Sequence, residues 1–140
     1  MIRELWDELE RGMEGINVEV KKQWKTKAGF DAAVLLYAYD PPDESPGLAL
    51  QQQWHCGYVR VPETHRFYGL IQKNAIDALS SLDVHGGINF MGMLRLLTGY
   101  WIGFDCHHDR DTIETADLDY VIRECERLAE QMAKESENDG

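Results

Sequence analysis

The residues best equipped for chemistry lie in three stretches: HCGYVRVPETHRFYG from His55 to Gly69, DVHGG from Asp83 to Gly87, and GFDCHHDRD from Gly103 to Asp111. Each is the end of an expected strand or the loop that leaves one. With those ends on one edge of a sheet, His65, His85, Asp105 and His108 converge. Imidazole nitrogens and a carboxylate are good ligands for zinc or another divalent transition metal. The same groups can move protons, which makes His85, Asp105 and His108 the catalytic candidates and His65, His85, Asp105 and His108 the metal-ligating ones. The plainer alternative is that the histidines tie down loops by hydrogen bonds, since no HExxH or comparable ligand spacing sits on one element.

Gly86 and Gly87 let the backbone approach a ligand closely or form a bulge of positive φ, and the bulge is the commoner use of glycine near a strand. Neither GxxxxGKS/T nor GxGxxG occurs, which removes the usual signature of ATP or dinucleotide binding. Tyr58, Phe67, Tyr68, Tyr100 and Trp101 share the middle of the chain with Arg60 and Arg66. Aromatic faces with arginine suit stacking and anion contacts for a nucleotide-sized ligand, although aromatics at strand alternation are first of all core. The ligand-binding set read from the sequence is therefore Tyr58, His65, Tyr68, His85, Gly86, Gly87, Asp105 and His108. Cys56 beside His55 and Cys106 beside His107 invite a thiol nucleophile, but sequence neighbours do not make a dyad and a buried free cysteine is the commoner state.

The elements that must position these residues follow from periodicity. Ile2, Leu5, Trp6, Leu9 and Met13 recur at helical spacing. Val18, Val20 and Trp24 alternate with polar residues as a half-buried strand, and Ala32 to Tyr39 reads as a more fully buried one, with a helix as its alternative because alanine and leucine favour it. Residues 40–53, with three of the four prolines, form an internal loop. Trp54 to Val61 is a strand, Ile71 to Leu82 a short helix, Val84 to Phe90 a strand and Tyr100 to Asp105 another. Leu118, Val121, Ile122, Cys125, Leu128 and Met132 mark a long C-terminal helix, with Thr115 as its expected N-cap and 134–140 as a frayed tail. The order predicts an α+β fold, a single domain over 1–140, with an antiparallel or mixed sheet of about five strands backed by N-terminal, middle and C-terminal helices.

Charge narrows the classes of function. Acidic residues outnumber basic ones 25 to 14, for a formal charge of −11 and a pI of about 4.8. A surface built to grip phosphate backbones is therefore not expected, and nucleic acid is the minority reading. The acidity is uneven: residues 1–53 carry −4, residues 54–111 carry −1 and residues 112–140 carry −6. All five histidines lie in the nearly neutral middle. No window approaches the ~18 apolar residues of a membrane span, and the first residues lack the apolar core of a signal peptide, so the expected location is cytoplasmic. Three cysteines without a CxxC pair fit reduced thiols.

The three motifs in this order, ahead of a DYVIRECERLAEQM helix, resemble an uncharacterised family of small phage, prophage and bacterial proteins over residues 26–132. The matching positions include His65, Tyr68, His85, Gly86, Gly87, Asp105, Cys106 and His108. Arg66 stands where that pattern has proline, and His55 and His107 fall where it asks for no histidine. The resemblance implies a phage or mobile-element setting, a host bacterial cytosol, and no reaction. Three functions compete. The first is a non-enzymatic domain that binds a small polar or nucleotide-like ligand in a His/Asp/aromatic pocket and interferes with host signalling or defence. The second is a metal-assisted hydrolase with a divalent metal such as zinc. The third is an acidic interaction module for a host or phage protein, or a homo-oligomer, that uses the apolar segment Met91–Leu97 or the C-terminal helix. Ligand binding is preferred, because it needs a pocket and no catalytic geometry.

Overall fold

The computed structural model describes residues 16–39, 52–94, 96–106 and 112–137. The expected N-terminal helix, the loop up to residue 51 and His108 lie outside the described residues. Among the described residues, five strands form one sheet: β1 (Ile16–Lys25), β2 (Asp31–Tyr39), β3 (Gln52–Val61), β4 (Phe90–Met93) and β5 (Tyr100–Asp105). Their spatial order is β1-β2-β3-β5-β4, and every neighbouring pair is antiparallel. After β3 the chain passes to the far edge as β4 and returns as β5 to fill the gap. The helices among the described residues are α1 (Phe67–Gln72), a 3-10 turn (Ile76–Leu79) and α2 (Leu118–Glu137). The fold is α+β, with an antiparallel sheet. Among the described residues no helix is long and apolar enough to cross a membrane.

Period-two alternation gives the sheet two faces. Ala32, Val34, Val59, Val61, Ile102 and Phe104 point toward α2, where Val121, Cys125, Leu128, Ala129 and Met132 recur on one helical face. Ala33, Leu35, Tyr37, Cys56, Tyr58, Phe90 and Trp101 form a second buried cluster on the other face. The central strands β2 and β3 are thus apolar on both sides, which is why Ala32 to Tyr39 reads as a continuous apolar run and is a strand, not a helix. Gly57, in mid-β3, sets the spacing to α2: a Cβ there would lie 2.5 Å from Phe104 Cζ and 2.7 Å from Cys125 Sγ.

Three elements differ from the sequence expectation, each for a local reason. The helix expected over Ile71 to Leu82 begins earlier and stops at Gln72. Asn74 takes φ 56°, and its N–H and that of Ala75 close back on the Ile71 and Leu70 carbonyls at 3.1 and 2.9 Å, a Schellman ending that asparagine tolerates. The strand expected from Val84 is instead a turn. Gly87 N–H donates to the Val84 carbonyl at 2.9 Å and Gly86 sits at φ 70°, as a type II turn requires, so pairing begins only at Phe90. Finally, the α2 N-cap is Asp117, whose Oδ1 accepts the Tyr120 N–H at 2.9 Å; Thr115 is engaged with Thr112.

Candidate ligand-binding site on the second sheet face

The sequence-predicted residues that the structure describes fall into four separate places. His65 sits under α2, 4% exposed. Its Nε2–H donates to the Met132 carbonyl at 2.8 Å, and its Nδ1 accepts the Phe67 N–H at 3.0 Å. Phe30 and Phe67 pack on its ring. Both ring nitrogens are committed to backbone, so no lone pair is left for a metal. His55 is used in a similar way: its Nδ1–H donates to the Ala116 carbonyl at 3.0 Å.

His85 anchors a different stretch of α2. Its ring Nδ1 lies 2.8 Å from the Tyr120 hydroxyl, and its backbone N–H donates to Glu124 Oε1 at 2.8 Å. Arg127 bridges Glu124 at 2.6 Å and Asp83 at 2.7 Å, and Gln131 clasps the Asp83 backbone on both sides. Residues 120, 124, 127 and 131 form one stripe of α2, so the 83–87 turn carrying Gly86 and Gly87 is riveted along the helix. Tyr120 and Met132 are twelve residues apart, which separates the His85 and His65 anchors by roughly 18 Å of helix axis. Two imidazoles on one zinc must approach within about 4 Å. His65 and His85 are not brought together, and among the described residues no group of three histidine, cysteine or acidic side chains is placed to hold a metal ion.

Tyr58 and Asp105 belong to the second face. Cys56 pairs with Asp105 across β3 and β5, and the Tyr58 and Tyr37 hydroxyls meet at 3.1 Å. Burial first, then the nearby Asp105 carboxylate, pushes the Cys56 thiol well above its ordinary range. Burial likewise raises Cys125 and Tyr58. All three cysteines are buried and outside any disulfide, which is the state of inert thiols, and the nucleophile reading loses its chemistry. Tyr68 stands apart at α1, edge-on to Tyr100.

One end of the second face is open. Register places Lys25 opposite Asp31 and Arg60 opposite Trp101, and Asp31 forms a loose ion pair sideways with Arg60 at 3.6 Å. The row Lys25–Asp31–Arg60–Trp101 therefore crosses four strands on one face. Asp31, Arg60 and Trp101 of this row, with Gln23, Trp24, Ala32, Leu97 and Thr98, line a pocket of about 340 Å³. The Trp101 indole N–H donates to the Thr98 carbonyl at 3.0 Å, which fixes the ring and the 98–101 bend together. Arg60 and Trp101 belong to the aromatic and arginine grouping visible in the sequence. Asp31, Gln23 and Thr98 carry no motif and enter only through strand register. The apolar segment expected at 91–97 turns mostly inward: Met91 and Leu94 are buried, Leu97 lines this pocket, and Leu96 is exposed.

A wider cleft of about 550 Å³ runs between Lys27–Ala28 and α2. Two of its polar side chains, Glu126 and Arg127, are already engaged. Glu126 accepts from Trp24 Nε1 at 2.7 Å and from the Lys27 N–H at 3.0 Å, and Arg127 holds Glu124 and Asp83. No protein-family model, curated protein or solved structure matches the chain.

Proposed function

We propose that the chain is a small binding domain that takes a planar polar ligand at the end of the second sheet face, without metal. The observation that carries this reading is the Asp31–Arg60–Trp101 row lining a pocket of about 340 Å³, with Lys25 paired to Asp31 beside it. That volume lies inside the ~300–1,000 Å³ range of small-molecule sites, and the lining divides evenly between polar side chains (Gln23, Asp31, Arg60, Thr98) and apolar ones (Trp24, Ala32, Leu97, Trp101), which suits a ligand that is both planar and polar. The hydrolase reading is weaker, because His65 has both nitrogens committed and stands far from His85. In the mobile-element setting implied by the motif resemblance, such a domain withdraws a host nucleotide or metabolite from circulation.

Isothermal titration of the full chain against nucleosides, nucleotides and aromatic acids tests the reading. Saturable binding by at least one planar compound, weakened by Arg60→Ala and unchanged by EDTA, supports it. No binding across the panel, or binding abolished by EDTA, overturns it.

A further inference from the structure

Arg60 is held in an unusual way. Its guanidinium faces Asp31 Oδ2 at 3.6 Å, and Lys25 Nζ faces Oδ1 of the same carboxylate at 3.5 Å. Charge-assisted N–H···O bonds run at about 2.7–2.9 Å, so one carboxylate is shared loosely between two cations and neither is used to capacity. The local balance is two positive charges to one negative, on a chain of formal charge −11. Both side chains of the Arg60–Asp31 pair are nearly half exposed, where an ion pair holds its partners weakly.

The guanidinium is nevertheless positioned. Gly99 has φ 95°, and a Cβ there would stand 2.4 Å from Arg60 Nε. Only glycine both adopts that backbone and leaves room for the arginine to lie against the 98–99 segment. The same segment holds Trp101 through the Thr98 carbonyl. A fork of N–H donors and a fixed aromatic ring thus border one pocket, and Lys25 remains to neutralise Asp31 when Arg60 turns to another anion.

On the reading that this pocket binds a planar ligand, we infer that its ligand carries one anionic group, carboxylate or phosphate, received by Arg60 in exchange for Asp31. The ring of that ligand lies toward Trp101, and Gly99 positions Arg60 for the exchange.

Matched pairs test it: indole-3-carboxylate against indole-3-carboxamide, and adenosine 5′-monophosphate against adenosine, each titrated into the full chain. The anion of a pair is expected to bind about tenfold more tightly than its neutral isostere, as befits hydrogen bonds to a charged group. Arg60→Ala abolishes that preference, and Arg60→Lys restores part of it. Asp31→Asn raises anion affinity by about two- to fivefold, the amount a half-exposed ion pair can withhold. This gain cannot come from misfolding. A preference within one pair only supports the inference and names the anion's chemistry. Equal affinity within both pairs, or a preference that survives Arg60→Ala, overturns the inference and leaves the binding reading standing. No binding by any of the four overturns both.

Discussion

At the scale of single residues, histidine is the type most easily misread. Five imidazoles in a neutral block of an acidic chain invite a metal or a proton shuttle. Yet His65 spends both ring nitrogens on the Met132 and Phe67 backbone, and His55 spends its Nδ1 on the Ala116 carbonyl. Sequence shows that a histidine can act, and only the fold shows whether its lone pairs are already taken. His65→Ala leaves a buried carbonyl and a buried N–H without partners at a cost of about 1–3 kcal/mol each, so a loss of roughly 2–6 kcal/mol is expected in urea unfolding. A metal ligand would behave differently: zinc would protect the wild type and not the variant. Gly57→Ala is a second residue-scale case. A methyl group 2.5 Å from Phe104 and 2.7 Å from Cys125 forces α2 off the sheet, and overpacking of this kind costs about 1–3 kcal/mol by chemical denaturation.

At the scale of elements, legibility tracks how far apart in sequence the deciding partners lie. The strands around Val18 and Trp54 and the C-terminal helix are set by their own periodicity, and the structure has them where the pattern puts them. The 84–90 segment alternates like a strand, but the Gly86 turn and the grip of Glu124, Arg127 and Gln131 from α2 hold its first half off the sheet. Those partners lie some forty residues away, beyond the reach of any local pattern. The pocket was legible only as Arg60 with Trp101, because Asp31 and Gln23 join it through cross-strand register. Glu124, 5% exposed, is the central rivet of the turn. Glu124→Ala leaves the His85 N–H without its acceptor, so faster amide exchange is expected at His85 and Gly87, with the β2–β3 core still protected. Unchanged exchange at the turn would show that Gln131 and Tyr120 suffice to hold it.

At the scale of the whole molecule, acidity describes the scaffold while the two sheet faces divide the work. One face is locked to α2 by packing and by backbone-bound histidines. The other ends in a basic and aromatic row. Buried thiols give the folded state a definite alkaline limit. Cys56 and Cys125 are held above the ordinary thiol value of 9.0, so below that value folded and unfolded chains bind the same protons there. Above it the unfolded chain loses protons that the folded chain keeps, and stability falls by about 1.4 kcal/mol per pH unit for each such group. Cys125→Ala is expected to remove one group's share of that slope in melting curves between pH 9 and 11. The ligand proposed for this domain enters at Arg60 and Trp101. Arg60 and Trp54 are six residues apart on β3, or roughly 20 Å, so the tryptophans distinguish the ends of the second face. With [15N]tryptophan-labelled protein and adenosine 5′-monophosphate or indole-3-carboxylate as probe, the indole N–H resonances of Trp101 and Trp24 should move on titration while that of Trp54 stays. A shift at Trp54 with Trp101 and Trp24 unmoved, or no shift at any indole, would contradict the assignment of the site.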